Sequence, residues 1–273
     1  MREASVGHQC PECVAAGRRS VRPARTTFGG SAAGQHGYVS IALIVLNVGV
    51  ALLGAAMAGG GSLFSGGFFS NASAIQAYGG VIGGYVTLTP LGQVAGGAFP
   101  DAGTVIPGVY DGAYYRLITA MFIHYGPLHL LLNMWALWVL GRSLEGALGP
   151  IRFLALYVIS GLGGNVAALL VSPNSLTAGA STALFGLFAA LFVVMRRLRR
   201  DTSSVIPILV INLVITFLVP GISIAGHLGG LVTGGFVAAG LAYAPKEHRT
   251  AVQVAVCAGV TVALLAMVFA VSA

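Results

Sequence analysis

Seven apolar runs, separated by short polar breaks and one long one, set the plan of this 273-residue chain. They fall at about 38–58, 126–144, 151–171, 181–195, 204–219, 225–244 and 251–272. A helix needs about 20 apolar residues to cross the ~30 Å of hydrocarbon in a bilayer, and several of the runs reach that length. The runs 181–195 and 204–219 are short, and a short span starts below the surface only where neighbouring helices shelter its polar end. Ala56-Met57-Ala58 at the end of the first run resembles a signal-peptide cleavage site. The run before it is longer than the ~7–15 residues of a signal core, so an uncleaved anchor is expected. The pattern predicts an all-α polytopic membrane protein.

The long break, residues 59–125, is rich in Gly, Phe and Tyr. A connection of that length without structure of its own is unusual and suggests a functional insertion. Its apolar pairs Leu63-Phe64 and Phe68-Phe69 are expected to dip into the outer leaflet, and Tyr114 to Phe122 to form a short interfacial helix.

Composition agrees with the pattern: 56% of residues are hydrophobic and 8% charged, so a soluble globular chain is excluded. The net charge of +7 lies mostly in the N-terminal arm and in two short loops. That placement suits anionic headgroups and topology signals, and the basic residues lack the interleaved aromatics of a single-strand nucleic-acid groove. No nucleic-acid partner is expected. With the N-terminus in the cytoplasm and the runs alternating, the inside holds the arm arginines, Arg142, Arg152, Arg196, Arg197, Arg199, Arg200, Lys246 and Arg249. The outside holds only Arg116. The positive-inside rule therefore predicts a cell-membrane protein with its N-terminus inside and C-terminus outside.

This orientation brings particular side chains to one depth. The runs 126–144, 181–195 and 225–244 all enter from outside, so His129, Asn133, Ser181 and His227 share one shallow layer near the outer face. Each has an ordinary explanation alone, as a helix-packing serine, an interfacial histidine or an interhelical hydrogen-bonding pair. Together they suit nucleophilic acyl chemistry. Serine needs a neighbouring base, usually histidine, and the developing oxyanion needs aimed donors. The Ser181 N–H at a helix start, with His129 and Asn133, would supply those donors. Gly230 and Gly234, four residues apart behind His227, form a small-residue face that lets helix backbones approach closely. Phe185 lies one turn beyond Ser181 on the same face, where it could stack on the imidazole.

The acidic residues are Glu3, Glu12, Asp101, Asp111, Glu145, Asp201 and Glu247, and none lies mid-span near this layer. A dyad is therefore expected rather than a triad, and paired-aspartate proteolysis is excluded. His-Glu-x-x-His, a Walker loop and a dinucleotide fingerprint are all absent from the sequence.

At these residues the chain resembles the rhomboid family of intramembrane serine proteases, over about 114–244 and the first span. The resemblance rests on His124-x4-His129-x3-Asn133, Tyr115-Arg116 at the end of the outer loop, Gly179-Ala180-Ser181, and His227-x-x-Gly230-x-x-x-Gly234. It implies Ser181 as nucleophile and His227 as base, His129 and Asn133 at the oxyanion hole, and His124 as a structural residue bonding within the outer loop. The family usually reads Gly-x-Ser-Gly, whereas Thr182 follows the serine here. The resemblance further implies a six-helix bundle over 38–244 plus an additional C-terminal span in 245–273, and cleavage of single-pass membrane proteins near the outer face of the bilayer. The alternative is a catalytically inactive relative that binds or chaperones membrane proteins. A transporter is disfavoured by the scarcity of intramembrane charge and the lack of repeated halves.

The basic arm, residues 1–37, carries His8, Cys10 and Cys13. A structural zinc takes four ligands, and nothing nearby completes the set. The segment resembles the tail of a small zinc-binding module, which would make these three the candidate ligands; no other cofactor is expected.

Overall fold

The computed structural model describes residues 2–3, 7–20, 24–57 and 72–272. Strands β1 (Arg2–Glu3) and β2 (His8–Gln9) pair and lead into helix α1 (Pro11–Ser20). A 3-10 turn over Ala32–His36, capped by the Ser31 hydroxyl, delivers the chain to α2 (Tyr38–Met57). The described part of the long connection holds α3 (Ala74–Gly79) and strands β3 (Val86–Leu88), β4 (Val94–Gly96) and β5 (Thr104–Ile106). These strands form an antiparallel sheet in the order β4-β3-β5. A single turn, α4 (Arg116–Thr119), precedes α5 (Pro127–Leu148) and α6 (Pro150–Val171). Then follow α7 (Ser181–Arg197), α8 (Val205–Leu218), α9 (Ile224–Tyr243) and α10 (Arg249–Ser272).

All seven apolar runs are helical. Among the described residues α2, α6, α9 and α10 are long and apolar enough to span a membrane, and α5 with the turns at Arg116–Phe122 makes a fifth candidate bent by 93°. The protein is an all-α polytopic membrane protein, with α7 and α8 the short pair that the sequence anticipates. α6 stands at the centre, 67% of its apolar window being enclosed against 6% for α10 at the periphery. The helix contact that matters most is α7 against α9, with α6 behind both. A Cβ on Gly230 would overlap the Thr182 carbonyl oxygen, and one on Gly234 would overlap the Gly186 Cα. Glycine at both positions lets the two backbones touch.

Buried Glu145, near the end of α5, secures the first span. Its carboxylate accepts from the Val39 N–H at 3.0 Å and from the Ser40 N–H and hydroxyl at 2.9 and 2.7 Å. It thereby occupies the free donors at the start of α2.

Over 72–125 the connection carries a sheet and a helix of its own. Three-residue strands are too short to show the alternation by which strands are recognised. The segment expected to be a short interfacial helix is helical over Arg116–Phe122, one α turn followed by one 3-10 turn, with Arg116, Leu117 and Met121 buried. Arg116 sits inside the connection, donating to the carbonyls of Pro107, Gly80 and Ala77 at 2.9, 2.7 and 2.8 Å. The apolar pairs Leu63-Phe64 and Phe68-Phe69 lie outside the described residues.

Candidate active site

Ser181 is the first residue of α7, His129 the third of α5 and His227 the fourth of α9. The three side chains therefore come from corresponding ends of three helices. The chain ahead of α7 is pinned twice. Val81 and Thr177 exchange backbone hydrogen bonds at 2.8 and 2.9 Å, and the Gly179 N–H donates to the Ala120 carbonyl at 2.8 Å. The ordered connection thus fixes where the serine helix begins.

The Ser181 hydroxyl lies 2.9 Å from His227 Nε2. The His227 ring is buried and stacks on Phe185, centroids 4.1 Å apart and planes inclined by 18°. At its other nitrogen, Nδ1 is 2.7 Å from the Thr216 hydroxyl on α8. That hydroxyl donates to the Asn212 carbonyl one turn back at 2.8 Å.

His129 also stands near Ser181. The Tyr125 N–H donates to its Nδ1 at 3.3 Å, which in a neutral imidazole puts the proton on Nε2. Gly179 marks where that nitrogen points. A Cβ built on Gly179 would lie 3.1 Å from His129 Nε2 and 3.3 Å from the Ser181 hydroxyl oxygen. The backbone there has φ +140°, a conformation that favours glycine. Asn133 donates one amide hydrogen to the His129 carbonyl at 2.7 Å, and an amide carries two. Backbone N–H groups at the start of α7 have no acceptor within the helix. A cavity of about 560 Å³ opens over the group, lined by His129, Asn133, Ser181, Phe185, Thr216 and His227 among others. Its size is that of an ordinary ligand site.

The structure brings together Ser181, His227, His129, Asn133, Phe185 and Gly179, with Gly230 and Gly234 at the backbone contact behind them. Arg116 stands apart as the internal tie of the connection. His124 is tied into the connection: its carbonyl accepts from buried Gln76 at 2.8 Å, its ring is close to the Phe122 backbone, and that ring lies edge-on to His129 at 5.0 Å. Thr182 is buried, its methyl 3.2 Å from the place a Cβ on Gly226 would take and its Cβ 2.6 Å from that on Gly164. Two glycines make room for the side chain that replaces the usual glycine. The sequence reading missed Thr216 and Tyr125. A signal for Thr216 was present, because alternating runs put the end of 204–219 on the same side as Ser181, and this polar residue lies near that end.

At the N-terminus, Cys10 donates to the Glu12 carboxylate at 3.3 Å and Cys13 lies on α1, both exposed. Among the described residues no three of His, Cys, Asp and Glu gather as a metal site.

Residues 111–244 match the model of the Rhomboid domain. Rhomboid protease GluP of Bacillus subtilis (strain 168) is 39% identical over 138 residues, which are 49% of this chain and 27% of that protein. Putative rhomboid protease YdcA of the same organism is 36% identical over 148 residues, 52% of this chain and 74% of that protein. RHOMBOID-like protein 5 of Arabidopsis thaliana is 37% identical over 138 residues, 47% of this chain and 44% of that protein. The chain thus spans about a quarter of the first relative and under half of the third.

Proposed function

The chain belongs to the rhomboid family, and from that premise we propose that it is an intramembrane serine endopeptidase working through Ser181 and His227. The observation that carries this reading is the 2.9 Å contact between the Ser181 hydroxyl and His227 Nε2, in a cavity also lined by His129 and Asn133. In the proposed reaction Ser181 Oγ attacks the scissile carbonyl carbon while His227 Nε2 takes the hydroxyl proton. The negative charge that builds on the carbonyl oxygen meets the Ser181 N–H, His129 Nε2–H and the second Asn133 amide hydrogen. The C–N bond then breaks, the amine leaves with the proton from His227, and an acyl-enzyme ester remains on Ser181. Water repeats the sequence, giving up a proton to His227 and releasing the carboxylate product. No step calls for a cofactor or a metal.

In this reading residues 38–244 form the protease core, 1–37 a cytoplasmic arm and 245–273 an added span. Substrates are single-pass membrane proteins, cut near the outer face of the cell membrane, with the N-terminus of this chain inside and its C-terminus outside. The arginine distribution supports that orientation. The test is cleavage of a transmembrane reporter in liposomes. Wild type is expected to cut it and Ser181→Ala to be silent; equal cleavage by the variant would end the serine mechanism.

A further inference from the structure

A base that receives a proton at Nε2 must carry its own proton at Nδ1, and the sequence offers no acid to hold it there. The hydrogen bonds around Thr216 resolve this. A hydroxyl has one hydrogen, and that of Thr216 goes to the Asn212 carbonyl at 2.8 Å, an oxygen that can only accept. Toward His227 Nδ1, 2.7 Å away, the same oxygen must therefore accept. The only assignment that satisfies both contacts puts hydrogen on Nδ1 and leaves Nε2 bare, facing the Ser181 hydroxyl at 2.9 Å. Thr216 is one of two buried residues on α8, the other being Val205 at the far end.

We propose that Thr216 is the positioning residue of the site: its hydroxyl, oriented by the Asn212 carbonyl, holds His227 in the Nδ1–H tautomer and keeps Nε2 ready for the serine proton. This rests on the Ser181–His227 reading and adds a neutral third member to the pair. Hydrogen-bond partners that orient metal-ligating histidines are worth about 10–100-fold, and a comparable factor is expected for a histidine base. Thr216→Val keeps the shape and removes the acceptor, so kcat is expected to fall by about that factor with KM unchanged. Thr216→Ser is expected to restore most of the rate. In wild type, 15N spectra of labelled histidine are expected to show His227 protonated at Nδ1 only, and in Thr216→Val as a tautomer mixture. Protonated Nε2 in neutral wild-type His227, or wild-type kcat in Thr216→Val, overturns the proposal. Ser181→Ala run alongside separates the two ideas. If it still cleaves, the serine mechanism falls; if it is silent while Thr216→Val is normal, only the role of Thr216 falls.

A second inference comes from the other end of the bundle. Arg25, Arg152 and Arg249, from three separate elements, converge on Gly29. Arg25 donates to its carbonyl at 3.3 Å, and a Cβ there would lie 3.5 Å from Arg249 Nη1 and 3.6 Å from Arg152 Nη2. Neutral groups hold the arginines in place. Arg152 donates to buried Gln253 at 2.7 Å and Arg249 to the Thr27 carbonyl at 3.0 Å. Among the described residues none of the three has a carboxylate partner. Arg152 and Arg249 also stand in the first turns of α6 and α10, where the helix dipole disfavours cations. Three like charges thus converge at two positive helix ends, level with the ends of two spans, where the chemistry suits an anion. We infer that this cluster binds a phosphate group, supplied by the headgroup of an anionic phospholipid.

The experiment compares thermal midpoints in phosphatidylcholine nanodiscs with and without phosphatidylglycerol, and in detergent with and without inorganic phosphate. Phosphatidylglycerol is expected to raise the wild-type midpoint by several degrees, and Arg25→Gln, at an exposed position, to reduce the shift. Arg152→Gln with Arg249→Gln is expected to abolish it. An equal rise with inorganic phosphate would support the phosphate site and overturn the lipid as its source. No rise with either probe, or an undiminished rise in the variants, overturns the inference.

Discussion

Two residues beside the serine carry opposite lessons about side chains in a tight site. A Cβ on Gly179 would enter the space between His129 and Ser181, and with φ +140° a side chain there is strained. Gly179→Ala would strain the backbone and place a methyl beside His129 Nε2 and the Ser181 hydroxyl, where the proposed reaction builds its oxyanion. Cleavage is expected to fall by about 100-fold or more, as for loss of an oxyanion donor, and a rate within threefold of wild type would contradict that placement. Thr182 was legible as an oddity in the sequence but not as a solution. Only the structure shows Gly164 and Gly226 making room for its side chain. Its buried Oγ1 has no hydrogen-bond partner, and a buried polar atom left unpaired costs roughly 1–3 kcal/mol. Thr182→Val is therefore expected to raise stability by about 1 kcal/mol in equilibrium unfolding, and a clear loss of stability would show that the hydroxyl is in fact used.

The elements differ in how firmly they are held, and this follows from length and burial. α6 is enclosed on most sides, and α7 and α9 touch backbone to backbone through Gly186, Gly230 and Gly234. α8 has 14 residues, a rise of about 21 Å, which is short of the ~30 Å hydrocarbon core. It buries only Val205 and Thr216. Its backbone amides are accordingly expected to exchange with deuterium fastest among the seven long helices in nanodiscs. Protection equal to that of α6 would contradict this. The seven helices were legible because uninterrupted apolar runs leave few alternatives in a membrane. The sheet was not, since strands of three residues carry no period. The buried role of Arg116 was hidden for a similar reason, because three carbonyl acceptors from distant parts of the connection leave no trace in local sequence.

At the scale of the molecule, alternation did more than composition. The alternation of apolar runs puts the starts of 126–144, 181–195 and 225–244 on one side, where His129, Asn133, Ser181 and His227 lie, and the arginines give that side its expected name. The same reasoning extends to Thr216 at the outer end of the run 204–219, although a hydroxyl on an apolar helix has many uses and only contact with His227 Nδ1 singles it out. Orientation is open to direct measurement. In a background lacking the native cysteines, Gln93→Cys, exposed between β3 and β4, is expected to react with a membrane-impermeant maleimide on intact cells. Native Cys10 and Cys13 in wild type are expected to react only after permeabilisation, and the reverse pattern would invert the topology.

The central claim is that the Ser181 hydroxyl, paired with His227, is a nucleophile and not a packing group. It is tested most directly by treating the membrane-embedded protein with a fluorophosphonate and locating the adduct by peptide mass spectrometry. One phosphonylated residue, Ser181, is expected, with labelling lost in His227→Ala although the serine is retained. An unlabelled Ser181 in folded wild type, or undiminished labelling in His227→Ala, would contradict it.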